Sequence, residues 1–120
     1  METRKLQKIV VDALEDIKGK DIAVINTAKL TPMFERLIIA TGDSSRQVKA
    51  LARNVQDKAR QAGAEVLSTE GEEAGEWVLV DLGDIVVHVM QAGVRQYYNL
   101  EELWQTTPAR RREAAPAAAG

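Results

Sequence analysis

Three groups of residues have side-chain types and spacing that suit chemistry. His88 is the one histidine, set in the run WVLVDLGDIVVHVM at residues 77–90. An imidazole serves as a base or a metal ligand, but a metal site needs companions, and the chain has no second histidine and no cysteine. Asp81 and Asp84 form a DxxD pair in the same run. Facing each other across a tight turn, two carboxylates repel, and magnesium, water or a nearby Lys or Arg relieves the strain. The third group is TGDSSR, residues 41–46, which leads into a helical pattern. Backbone N–H groups at a helix start bind phosphate. Ser44 already has a capping role there, however, and no Gly-Lys-Ser/Thr follows. A nucleotidyltransferase would need carboxylates on the adjacent strand, which reads RLIIA and has none. Arg46, a cation in the first helical turn, opposes the helix dipole and so implies a specific partner such as Asp43.

These residues are positioned by a short series of elements. Leu6, Ile9, Val10, Ala13, Leu14 and Ile17 form one apolar helical stripe, with Thr3 as N-cap and Gly19 as the stop. Ile22–Ile25 and Arg36–Thr41 read as strands. Ser44 and Gln47 have capping-box spacing, and Val48, Leu51, Ala52, Val55 and Ala59 give a second stripe that ends at Gly63. Ala64–Thr69 reads as a strand, followed by the acidic loop EGEEAGE. A hairpin over residues 77–90 comes next, then a terminal helix capped by Asn99 and Glu102. The order αββαββ-β-α predicts an α/β (α+β) domain: a mixed β-sheet with its two main helices on one face. It occupies residues 1–106. Residues 107–120 (TPARRREAAPAAAG) lack large apolar groups and are expected to be a disordered tail.

Bulk composition narrows the function classes. The chain has 120 residues, 45% hydrophobic and 28% charged, which suits one globular domain. A net charge of −2 is not the footprint of a nucleic-acid binder. The absence of cysteine removes disulfides, thiolate nucleophiles and zinc ribbons, and fits a reducing cytoplasm. No signal peptide or membrane span is read, and no cofactor or metal is expected.

The hairpin carries two apolar faces. With Leu82-Gly83 as a two-residue turn, Asp81 faces Asp84, Val78 faces Val87 and Trp77 faces His88. One face is then Val78, Val80, Ile85, Val87 and Val89, a β-branched surface for the two helices to cover. The other is Trp77, Leu79, Val86, His88 and Met90, with Glu70, Glu72, Glu73, Glu76, Asp81 and Asp84 at its edges. Two readings stand for this second face. The terminal helix and Tyr97-Tyr98 fold over it as a second small core, or it stays partly open and docks onto a protein that is apolar centrally and basic around. Arg95 either meets that partner or pairs with Asp81.

In sequence the chain resembles the Iojap-like ribosomal silencing factor family. The resemblance rests on IIATGDSSRQV (38–48), Glu70-Gly71, WVLVDLGDIVVHVM (77–90) and RQYYNLEELW (95–104), and spans residues 3–106. Two positions depart from the family pattern: Gln47 stands where histidine is usual, and Met90 where phenylalanine is. The resemblance implies a nucleotidyltransferase-like fold without the catalytic site. It implies a bacterial cytoplasmic factor, not an enzyme, that binds the large ribosomal subunit through its fourteenth protein. Bound there, the factor blocks subunit joining and silences translation when nutrients run short. The residues expected to dock are Trp77, Leu79, Asp81, Asp84, His88, Met90, Arg95, Tyr97 and Tyr98. An open face of this kind also suits a homodimer when no ribosome is at hand. The alternative is a nucleotide-binding enzyme using Ser44, Ser45, Asp81 and Asp84.

Overall fold

The computed structural model describes residues 1–105; the expected tail lies outside them. Five strands form one sheet: β1 (Lys20–Asn26), β2 (Arg36–Gly42), β3 (Ser68–Glu70), β4 (Trp77–Asp81) and β5 (Ile85–Gln91). Their order across the sheet is β1-β2-β5-β4-β3. β2 and β5 run parallel and every other neighbouring pair is antiparallel, so the sheet is mixed, as expected. Helices α1 (Thr3–Asp16) and α2 (Ser45–Gln61) cover one face. Two short helices, α3 (Ala92–Tyr98) and α4 (Leu100–Gln105), lie against the other.

The closed face is built as the periodicities predict. Leu6, Val10, Ala13 and Leu14 of α1 and Val48, Leu51, Ala52, Val55 and Ala59 of α2 pack on Ile38, Ala40, Val78, Val80, Ile85, Val87 and Val89. Each fully buried Val, Leu or Ile contributes roughly 1.5–3 kcal/mol, and this side holds most of them. At the start of α2, the Gln47 N–H donates to the Ser44 hydroxyl at 3.1 Å, the expected cap. The Gln47 side chain does not reach back to the Ser44 N–H, so only the Ser44 half of the expected capping box forms. The Gln47 Oε1 accepts from the Asp43 N–H at 2.6 Å, and its Nε2 donates to the carbonyls of Ile17 and Lys18 at 3.1 and 3.2 Å. One side chain thus ties the start of α2 to the end of α1.

Four local expectations change. The N-cap of α1 is Glu2; Thr3 is the first helical residue, and its hydroxyl donates to the Glu35 carboxylate. After α1 the left-handed residue is Lys18, at φ 62°, with Gly19 following it. β3 is confined to Ser68–Glu70, because the Leu67 N–H bonds the Asp81 carbonyl and only the next three residues pair with β4. The segment from residue 92 to 105 forms two helices. Asn99 separates them at φ 47°: it is the C-cap of α3, and it also directly precedes α4, where its Nδ2 donates to the Glu102 carboxylate at 2.6 Å, so the expected Asn99–Glu102 pairing forms.

The hairpin register also shifts. The Leu82 N–H bonds the Ile85 carbonyl at 2.9 Å, so the turn residues are Gly83 and Asp84. Trp77 therefore faces Met90, Leu79 faces His88 and Asp81 faces Val86. Two physical gains favour this register over Leu82-Gly83. Gly83 sits at φ +90°, at the first turn position, where a two-residue hairpin needs that conformation. Leu82 leaves the turn and buries its side chain in the aliphatic core. Both registers keep the same residues on each face, since the change is by an even number of positions.

Candidate functional site

The second face is closed at one end and open at the other. At the closed end, Ile25, Leu37, Ile39 and Met90 are buried beneath Phe34, Val94, Leu100 and Trp104. The Phe34 and Trp104 rings meet edge-on, with centroids 5.3 Å apart. Arg95 pins this cover. Its Nε donates to Glu101 at 2.9 Å and its Nη1 to the Thr41 hydroxyl at 2.8 Å. The guanidinium, through that hydrogen bond, holds the Glu101 carboxyl below its usual range.

At the open end the aromatic groups form a chain. The Trp77 indole Nε1–H donates to His88 Nδ1 at 2.8 Å. Cross-strand register puts these two on a diagonal, within reach of long side chains. The bond requires a neutral imidazole with its proton on Nε2. Burial pushes the His88 pKa down from 6.5 to about 4, so this state holds at neutral pH. Trp77 then stacks on Tyr98 at 4.7 Å, and Tyr98 meets Tyr97 edge-on at 5.0 Å. Exposure climbs along this chain: His88 is 9% exposed, Tyr98 53% and Tyr97 81%.

Beside the chain runs a groove of about 490 Å³. Leu79, Val86 and His88 are part of its lining, Met33, Phe34, Leu67 and Trp104 are at its sides, and Glu70 and Asp81 bring carboxylates. Met33, 80% exposed, stands at the rim. The acidic loop is held next to this region by Gly71. At φ +86° its α-carbon lies so near the Trp77 carbonyl oxygen that any Cβ would collide with it.

The structure thus brings Trp77, Leu79, Asp81, His88, Tyr97 and Tyr98 to one half-open face. Three expected residues stand elsewhere. Met90 is fully buried: α3, α4 and Phe34 seal that part of the sheet, so it supports the face from beneath. Arg95 pairs with Glu101 and Thr41, not with Asp81. Asp84 lies in the turn, where its carbonyl accepts from the N–H groups of Glu35 and Arg36, and it does not oppose Asp81. The Asp81 carboxylate accepts from the Gly83 N–H at 2.8 Å. Among the described residues, no three His, Asp or Glu side chains gather as a metal site.

The chain matches, over residues 1–119, the family described as "Ribosomal silencing factor during starvation". A ribosomal silencing factor of Chromobacterium violaceum is 59% identical over 104 residues, which cover 87% of this chain and 85% of that one. This chain belongs to the ribosomal silencing factor family. A crystal structure of a protein from the same bacterium superposes with a TM-score of 0.87 at 57% identity, covering 89% of each chain. A mouse protein named "Mitochondrial assembly of ribosomal large subunit protein 1" is 27% identical over 99 residues, 80% of this chain and 43% of its own length.

For this silencing-factor family member, the sequence reading missed Met33, Phe34, Leu67 and Trp104 as groove residues. Met33 and Phe34 follow Pro32 as large apolar residues in a turn-rich stretch, which is the one signal that pointed to them. Gln47 has both polar atoms of its side chain engaged at the junction of α1 and α2.

Proposed function

We propose that this chain docks through the half-open face onto the fourteenth protein of the large ribosomal subunit. Docked there, its bulk keeps the small subunit from joining, and translation is repressed under nutrient limitation. The observation that carries this reading is the aromatic ladder His88–Trp77–Tyr98–Tyr97, exposed at its tyrosine end, beside an apolar groove with carboxylates at its edge. Tyr and Trp are favoured interface anchors because they offer a large rigid area at small entropic cost. Asp81 and Glu70 favour a partner with basic groups around an apolar centre. The mouse relative's name, which refers to the large subunit, accords with that choice of particle. Steric exclusion asks nothing of a catalytic group. Against the enzyme alternative, Asp81 and Asp84 are not cross-strand partners, and the Ser44 hydroxyl is engaged as a helix cap.

In this reading Trp77 is a positioning residue, held by His88, and the two tyrosines are the anchors. The Tyr97→Ala/Tyr98→Ala double variant should fold normally and lose co-sedimentation with purified large subunits, with affinity down by about 2 kcal/mol or more. It should also fail to lower the yield of whole ribosomes when mixed with both subunits. Wild-type co-sedimentation by this variant would refute the docking face. Binding retained by large subunits lacking the fourteenth protein would refute the partner.

A further inference from the structure

The outward face of α2 differs from the rest of the molecule. Arg46, Lys49, Arg53 and Arg60 fall within roughly a 60° arc of the helix and span about 21 Å along it. They stand opposite the buried stripe of Val48, Leu51, Val55 and Ala59. Counting Lys58, α2 has five cations and one anion, Asp57. That is +4 in a chain whose total is −2, leaving −6 for everything else. Such segregation is invisible in the net charge.

None of these cations is in an ion pair among the described residues. Carboxylates are near: Gln56 donates to Glu72 at 3.3 Å, and Gly75 of the acidic loop packs on Ser45 and Lys49. Asp43, the partner expected for Arg46, pairs with Lys20 at 2.8 Å instead. Beside the arc stand one carboxylate, Asp57, and one apolar side chain, the small Ala50.

This composition selects among partners. A membrane-surface helix needs an apolar face to insert, and that of α2 is spent in the core. A protein interface needs an apolar or aromatic centre, which the arc lacks. A nucleic-acid backbone needs only cations at fixed positions, and arginine forks fit phosphate oxygens. The family's name places its members at a particle that contains RNA. We propose that the outward face of α2 binds RNA phosphate backbone without regard to sequence, independently of the aromatic face.

The test is fluorescence anisotropy of a labelled 20-base-pair RNA duplex titrated with the full chain at 50 and 200 mM KCl. With four phosphate contacts, affinity should fall about 100-fold between those salt concentrations. In R46Q/R53Q/R60Q one contact is left, so binding should be weak at 50 mM and fall only about 4-fold. Glutamine keeps helix propensity, and unchanged circular dichroism would show that α2 is intact. The Tyr97→Ala/Tyr98→Ala variant should bind RNA as wild type does, which separates this surface from the docking face. The proposal is overturned by no binding at 50 mM, by wild-type affinity and salt response in the triple variant, or by RNA binding lost with the tyrosines. Loss on replacing Arg110, Arg111 and Arg112 with glutamine, in place of the α2 arginines, would also overturn it.

Discussion

Beneath α1 and α2 the sheet presents Ile38, Ala40, Val78, Val80, Ile85, Val87 and Val89, and none of them meets solvent. One position along the same strands lie Leu37, Ile39, Trp77, Leu79, Val86, His88 and Met90, on the reverse face. There the cover is two short helices, and it stops partway. The first face is aliphatic, and its covers are helices of 14 and 17 residues with matching stripes. The second mixes aromatic, imidazole and carboxylate groups, and its covers have 7 and 6 residues. Side chains that pack without polar atoms can be sealed completely at low cost. Trp77 and His88 need a hydrogen-bond partner when buried, and each supplies the other's, so they can sit at an edge between core and solvent. One sheet thereby provides stability on one side and recognition on the other.

The sharpest way to break that division is to damage each side in turn. Leu51→Ala on the closed face should cost about 2–5 kcal/mol, read as a lower urea midpoint with unchanged slope. Tyr98→Ala on the open face should shift stability by less than about 1 kcal/mol, because half its ring is already in water. Equal destabilisation by the two variants would mean that the open face is structural after all.

Next in size is a pH effect confined to the boundary of the open face. The folded His88 has its pKa lowered to about 4 by burial, against 6.5 for an exposed imidazole. Above 6.5 both states are neutral and this group costs nothing. As pH falls from 6.5 toward 4, the unfolded chain takes up a proton that the folded chain refuses, so stability drops. The full loss is about 3 kcal/mol, complete near pH 4. His88→Asn keeps an oxygen to accept from the Trp77 indole and does not titrate. Urea unfolding of the two proteins at pH 7, 5.5 and 4.5 should show the wild type losing its advantage over the variant as pH falls. A constant difference would mean that His88 is not desolvated.

How much of this was legible in the sequence follows from the range of the interactions. Both long helices, the central strands and the Ser44 cap arise from local periodicity or a three-residue spacing, and these were read. The mixed sheet was read from the order of elements, and its two faces from alternation. The register was not, since both turns contain Gly83 and give the same two faces. The difference is the burial of Leu82, a contact that only the assembled core provides. Of the two readings of the second face, each describes one end. Met90 is sealed because Phe34 and Trp104 meet over it, and those residues are 70 positions apart in sequence. No local pattern in AGVRQYY announces α3, which has no fully buried residue and is held by the bonds of its Arg95 to Glu101 and Thr41.

The smallest effect concerns a strained, exposed residue just past the end of α1. α1 ends in a Schellman motif: the Lys18 N–H bonds the Glu15 carbonyl at 2.9 Å and the Gly19 N–H bonds that of Leu14 at 2.8 Å. The left-handed position of this motif favours glycine, yet here it is occupied by Lys18 at φ 62°. Lys18→Gly removes a steric cost, and part of that gain is offset by the freedom glycine adds to the unfolded chain. The net should be about 0.5–1 kcal/mol of added stability, seen as a higher urea midpoint. The carbonyl of residue 18 still accepts from Gln47, since that bond uses only the backbone on this side. Co-sedimentation with large subunits should not change, because the gain arises at the end of α1, a cover of the closed face. A stabilised variant that binds more weakly would show that the two faces are coupled through the sheet, and a lower midpoint would show that the Lys18 side chain contributes more than its backbone costs.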